Sequence, residues 1–284
     1  LGSASPELLR QSSESLAGRI AYHELGSLSL DEVGAKAQSQ LWFRGGFPRS
    51  FLADSDIRSV QWRRNFVQTF LERDIPALGI KIPAATLDRF WSMLAHYHGE
   101  LWNGAELARS FGVSANTVRH YLDVLTSTFL VRQLQPWFEN LGKRQVKAPK
   151  IYLRDSGLLH TLLRLDRSED LLRHPKMGAS WEGFALETVA ARLGVDVDRC
   201  YFWRTHTGAE LDLLVFDGQR RLGVEFKRTS APRLTPSMRS ALDDLGLERL
   251  DVIHAGDRSF PLHEKVRALA LSRIWEDLEP ALLA

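Results

Sequence analysis

The chain has 284 residues, enough for about two domains and for buried cores without disulfide or metal staples. Lys and Arg number 37 and Asp and Glu 35, a formal net charge of +2 that excludes a uniformly basic, histone-like binder but not local basic patches. One cysteine, Cys200, excludes a disulfide framework or a cysteine-based zinc site and fits a reducing cytoplasm.

No apolar run approaches the ~20 residues of a membrane span, and no signal peptide is visible, so the expected location is cytoplasmic with no membrane partner. Leu1-Gly2-Ser3-Ala4-Ser5 opens the chain with no visible flexible leader. Up to about Phe51 the pattern is mixed, with a short helix over 12–18, a strand over 19–25 and a turn-rich stretch around Gly45-Gly46-Phe47-Pro48. Residues 54–98 read as helices. Trp62, Phe66, Phe70 and Leu71 recur at helical spacing, as do Leu87, Phe90, Trp91 and Leu94.

Residues 100–163 read as a small helical module followed by strands. The spacing predicts a short helix over 105–111, a turn at Gly112-Val113-Ser114 and a second helix over 115–126 with Ser114 as its N-cap. Leu107, Ala108, Val113, Val118 and Leu122 form the expected inner face. This is a helix-turn-helix pattern, and its second helix is expected to expose Asn116, Thr117, Arg119 and His120 to bases or phosphates. Strands over 129–135 and 151–153 follow. Lys143, Arg144, Lys147 and Lys150 between them form a basic loop suited to a wing over a phosphate backbone. DNA is therefore the expected partner.

From His174 onward helix and strand patterns alternate, giving a multi-domain α/β fold class. Residues 178–193 read as a helix with Glu182 in the middle of an apolar stripe formed by Ala185, Leu186, Val189 and Leu193. A carboxylate aimed at a sheet needs a partner, a metal or a lysine. Glu187 points to another face. Two strands, 210–216 and 222–226, flank an Asp217-Gly218 hairpin signal. The two-residue period puts Leu211, Leu213 and Val215 on one face and Glu210 and Asp212 on the other; on the second strand Gly223, Glu225 and Lys227 share a face. A two-residue loop pairs Asp212 with Gly223, and a four-residue loop pairs it with Glu225. In either register Asp212, Glu225 and Lys227 emerge within cross-strand reach. Carboxylates so placed suit Mg²⁺, which prefers oxygen ligands. The ion would polarise a phosphate and activate water, with lysine neutralising the developing charge.

Gly178-Ala179-Ser180-Trp181-Glu182, Glu210-Leu211-Asp212 and Glu225-Phe226-Lys227 resemble the PD-(D/E)xK, restriction-endonuclease-like fold of archaeal Holliday junction resolvases. The resemblance assigns Glu182, Asp212, Glu225 and Lys227 as catalytic, the three acids as Mg²⁺ ligands, and Arg239 as a further polar residue. The family's usual proline before the aspartate is Leu211 here. The whole chain, through Ser15-Leu16-Ala17-Gly18-Arg19, Gly45-Gly46-Phe47-Pro48, Glu72-Arg73-Asp74-Ile75, Pro149-Lys150-Ile151-Tyr152, Asp155-Ser156-Gly157-Leu158 and Trp181-Glu182, resembles prokaryotic AAA+-type ATPases. Those carry a winged helix and a C-terminal nuclease-like domain of unknown function.

That resemblance implies an ATPase-core remnant over 1–52, a helical lid or linker over 53–98, a winged helix-turn-helix over 99–165 and a PD-(D/E)xK domain over 174–284. It makes Arg19 an ATP-sensing arginine, its bland reading being a surface arginine. No phosphate loop is present, so ATP binding is expected only with the rest of such an ATPase. The implied functions are a DNA-associated, Mg²⁺-dependent endonuclease, or an inactive nuclease-fold module for protein interaction or oligomerisation. His96 and His98 show no third metal ligand, and Cys200 reads as core.

Overall fold

The computed structural model describes residues 25–138, 146–195 and 199–281. The helix and strand expected before residue 25 and the cations Arg19, Lys143 and Arg144 lie outside these residues.

The N-terminal part is helical, as the aromatic spacing predicts. Helix α1 (Leu30–Val33) starts in a capping box between Ser29 and Glu32. It is followed by α2 (Gln38–Arg44), α3 (Pro48–Phe51), α4 (Asp56–Thr69), a π turn (Phe70–Asp74), α5 (Ile75–Ala77) and α6 (Ala84–His96). Two of the glycine-containing motifs meet here. Between α2 and α3, Gly45 has φ 75°, and a Cβ there would lie 2.2 Å from Asp155 Oδ1. The Gly46 amide donates to Asp155 Oδ2 at 2.8 Å. Gly157 packs so closely that a Cβ would lie 2.2 Å from the Arg44 carbonyl oxygen. Glycine is required at both places by close approach of two chain segments.

The helix-turn-helix has the predicted elements. Helix α7 (Gly104–Phe111) ends at Gly112 in the left-handed region, and α8 (Ala115–Ser127) starts with Ser114 Oγ accepting from the Thr117 amide. Leu107, Ala108, Val118 and Leu122 are buried. Val113, expected among them, is instead exposed, because it lies in the turn between the helices. Strands β1 (Glu100–Leu101), β2 (Val131–Pro136) and β3 (Lys150–Leu153) pair antiparallel in the order β1-β3-β2.

Helices α9 (Ser156–Leu162), α10 (Ser168–Arg173) and α11 (Met177–Leu193) lead into β4 (Cys200–Arg204), β5 (Glu210–Asp217) and β6 (Arg220–Lys227), an antiparallel meander. Helix α12 (Pro236–Leu245) crosses to β7 (Arg249–His254), which runs parallel to β6. Strands β8 (Phe260–His263) and β9 (Val266–Ala270) and the short α13 (Ile274–Asp277) complete the described chain. Strand β2 pairs in parallel with β4 through Gln135↔Tyr201 and Pro136↔Phe202. The strands after the helix pair and the C-terminal strands therefore form, among the described residues, one nine-stranded mixed sheet, β1-β3-β2-β4-β5-β6-β7-β9-β8. The molecule is mixed α/β.

The hairpin register resolves the two open alternatives. Leu213 pairs with Val224 and Asp217 with Arg220, a register that points from Asp212 to Glu225 and not to Gly223. It does so through a two-residue turn, Gly218-Gln219, where the expectation needed four residues, because the turn lies one residue beyond Asp217-Gly218. Gly218 has φ 63°, the sign that a glycine-led hairpin turn needs. The facial alternation departs from the expectation. Tyr201 pairs with Leu214 but Trp203 with Leu211, so three steps of β5 oppose two of β4. This β-bulge sends Leu211 and Leu214 into the apolar cluster under α12, and Leu213 and Val215 into the cluster under α11. Leu211 does not share a face with Leu213 and Val215.

Candidate functional site

Helix α11 carries Glu182 and Glu187 past the sheet. Its neighbouring positions Ala185, Leu186, Val189 and Leu193 are buried, as the apolar stripe predicts. Among the described residues the Glu182 carboxylate meets two partners, both from β3. Tyr152 donates its hydroxyl to Glu182 Oε1 at 2.6 Å, and Lys150 Nζ lies 3.8 Å from the same oxygen.

Lys150 is the centre of the arrangement. Its side chain is 5% exposed, and Nζ lies 2.5 Å from Glu210 Oε1 and 3.7 Å from Asp212 Oδ1. Asp212 faces two ammonium groups. Its Oδ1 is turned to Lys150, while Oδ2 lies 3.7 Å from Lys227 Nζ and accepts from the Phe226 amide at 3.0 Å. Lys227 Nζ also lies 2.7 Å from Glu225 Oε2. The structure thus brings together all four residues expected at the site and adds Lys150, Tyr152 and Glu210. Glu210 is fixed through its backbone, where Ser237 Oγ of α12 accepts from its amide and donates to its carbonyl, both at 2.7 Å. Arg239 is exposed on the same helix. Ser237, not Arg239, is the α12 residue hydrogen-bonded to Glu210 among the described residues.

Four carboxylates face Lys150, Lys227 and, on Glu210 at 3.5 Å, the half-exposed Arg204, and the ionisation reflects the remaining surplus of acid. Burial, together with the charge of Asp212, pushes the Glu182 pKa up to about 7 despite Lys150 and Tyr152. Glu225 rises well above its ordinary value through burial and Asp212. Burial opposes the charge on Lys150, but Asp212, Glu182 and Glu210 outweigh it and raise its pKa.

The Mg²⁺ implied by the nuclease resemblance does not fit this arrangement. The Lys150 ammonium lies among Glu182, Glu210 and Asp212, and the Lys227 ammonium lies on Glu225 and Asp212. Among the described residues no group of three or more His, Cys, Asp or Glu side chains is placed to hold a metal ion.

One and a half turns along α11, Glu187 sits in a separate cluster. Arg132 of β2 holds it in a fork, Nε to Oε1 at 2.5 Å and Nη2 to Oε2 at 2.8 Å, and Arg154 adds Nε to Oε2 at 3.3 Å. Burial opposes the Glu187 charge, but the two arginines overcome it and lower its pKa.

The residues expected to meet nucleic acid are spread over exposed and buried positions. Asn116, Arg119 and His120 are exposed on α8, and Thr117 is half-buried with its hydroxyl 2.9 Å from Ser114 Oγ. Arg119 Nε lies 3.2 Å from Asp123 Oδ1. Lys147 is exposed. Lys150 is the correction. The sequence places it on a basic loop, but it begins β3 and is buried, because the β2–β3 hairpin joins the C-terminal sheet through β4 and turns this side chain onto the acids. His98 is a core histidine whose Nδ1 accepts from the Leu153 amide at 3.0 Å, and Cys200 is buried.

Two family models match the chain. Residues 35–169 match a domain of unknown function, DUF8612, and residues 177–274 match another, DUF4143. The chain is similar to two proteins described as uncharacterized, one from Mycobacterium tuberculosis and one from Mycobacterium bovis. Each is 54% identical over 274 residues, covering 96% of this chain and 62% of the relative. The chain therefore spans less than two thirds of the length of these relatives. No solved structure matches it. No helix among the described residues is long and apolar enough to cross a membrane.

Proposed function

We propose that this chain is a DNA-associated module in which a winged helix is built onto a catalytically silent nuclease-like domain. The observation that carries the reading is Lys150, whose buried ammonium lies against Glu182 and Asp212, two of the three acids that a nuclease would offer to Mg²⁺, and against Glu210, while Lys227 lies on the third, Glu225. The C-terminal order of helix, three-strand meander, helix and parallel strand supports the PD-(D/E)xK resemblance. The exposed Asn116, Arg119 and His120, presented on one capped helix beside the wing strands, support duplex contact. The AAA+-type resemblance supports a role within an ATP-dependent protein, with protein partners or further copies of the chain attached through the same fold.

The test pairs binding with cleavage. Branched and linear duplexes are incubated with the full chain and Mg²⁺ or Mn²⁺, and retention is measured at rising salt. Binding without cleavage is expected, weakened by the combined substitution of Asn116, Arg119 and His120 to alanine. Metal-dependent cleavage that Asp212→Ala abolishes would overturn the silent-domain reading. It would establish the second reading, an Mg²⁺-dependent endonuclease. That reading is favoured by the adjacency of Asp212, Glu225 and Lys227. Absence of binding at low salt would leave the fold as a protein-interaction platform and remove DNA from the proposal.

A further inference from the structure

The acids and the lysine come from different segments. Glu182, Glu210 and Asp212 belong to the stretch 177–274, whereas Lys150 belongs to 35–169. Lys150 reaches the acids because β2 pairs in parallel with β4 and β3 lies on the far side of β2. The same hairpin is pinned to α11 at two further points, by Tyr152 on Glu182 and by Arg132 on Glu187. Its position over the cluster is therefore fixed by the fold and does not depend on the lysine alone.

Three carboxylates converge on a buried monovalent cation at 2.5 to 3.8 Å. A hard divalent ion makes the same demand, oxygen ligands around one centre, at shorter distances of roughly 2.0–2.6 Å. Lysine supplies one positive charge and three donors, enough to satisfy oxygens at hydrogen-bond distance but not to neutralise all of them. The polar partners already in place explain why such a charge tolerates burial.

We propose that Lys150 is a built-in cation, donated by the β2–β3 hairpin, that takes the place of a divalent ion, and that removing its charge lets Glu182, Glu210 and Asp212, which are not placed to hold a metal ion while the lysine lies between them, close on one. The proposal rests on reading the C-terminal segment as nuclease-like. It adds to that reading the cause of its silence: the segment is plugged by its neighbour.

The experiment uses the full chain and Mn²⁺ as the probe, with binding followed by electron paramagnetic resonance and stability by thermal unfolding. The unmodified chain is expected to show no specific Mn²⁺ binding and no metal-dependent rise in Tm. Lys150→Ala is expected to gain at least about tenfold in Mn²⁺ affinity and to unfold at a higher temperature as Mn²⁺ is added. Adding Asp212→Asn is expected to abolish both gains. Lys150→Gln, which keeps an uncharged donor in place, serves as a second variant should the alanine variant need metal to fold, and Lys150→Arg should behave like the unmodified chain. Equal Mn²⁺ binding by the unmodified chain, or no gain in either neutral variant, overturns the plug. Cleavage by the unmodified chain is a separate result that overturns the silent-domain reading instead.

Discussion

Glu182 and Glu187 lie on the same helix, face the same hairpin and are both largely buried, yet their environments act in opposite directions. Glu187 meets two arginines, which outweigh its burial, so its charge is held and its pKa falls. Glu182 meets one shared lysine, a tyrosine and the field of Asp212 and Glu210, so its pKa rises to about 7. The difference lies in stoichiometry. A buried carboxylate with more than its share of cation is a fastener, and one with less is a site under charge stress.

The largest expected effect comes from breaking the fastener. Arg132→Ala should cost about 3 kcal/mol in urea unfolding, because it leaves Glu187 buried with only the longer contact to Arg154. A loss no larger than that of an exposed arginine would erase the contrast between the two glutamates.

Neutralising each glutamate in turn sharpens the comparison. Glu187→Gln should cost about 2 kcal/mol at neutral pH, whereas Glu182→Gln should lie within about 1 kcal/mol of the unmodified chain or stabilise it, since it removes surplus negative charge. The pH profile separates them further. The Glu182 pKa is raised from 4.5 to about 7 in the folded state, so between these values the folded chain holds a proton that the unfolded chain has lost. Its contribution to stability therefore falls as pH rises from about 4.5 to about 7. The Glu187 contribution is the reverse. With its folded pKa lowered, it is present above 4.5 and is lost as pH falls. Glu182→Gln should flatten the decline towards pH 7, and Glu187→Gln should flatten the decline in acid. Parallel profiles for the two variants would show that the two sites share one field.

The smallest effect is expected outside both clusters. Arg119→Ala should cost only about 0.3–0.5 kcal/mol, the value of an exposed i,i+4 pair with Asp123. Its effect on duplex retention should be larger than its effect on Tm.

Much of this was readable from the chain. The helix-turn-helix followed from the Ser114 cap, the Gly112 turn and the apolar spacing, because those signals are local. The inward placement of Glu182 followed from its apolar neighbours, and the meeting of Asp212, Glu225 and Lys227 survived uncertainty in the register. The bulge in β5 was not readable, since Leu211, Leu213 and Val215 alternate perfectly and only the pairing with Tyr201 and Trp203 breaks the alternation. Nor was the role of Lys150. In sequence it is one of several cations after a strand, and its burial depends on β2 pairing with β4 across some sixty residues. The one available signal was Tyr152 two residues on, which puts the two side chains on the same face of a strand.

The parallel contact of β2 with β4 bears on how the molecule can be taken apart. A cut between residues 169 and 177 follows the limits of the two matched families but passes through one continuous sheet. The C-terminal fragment would carry the aromatic strand β4 with its backbone edge bare, and the N-terminal fragment would carry β2 in the same state, both with unpaired backbone groups ready to pair with other chains. Each fragment would also strand charges whose partners are on the other: Lys150 on one side, and Glu187 with the acid cluster on the other. Separately expressed halves should therefore aggregate, whereas co-expressed halves should recombine through this seam.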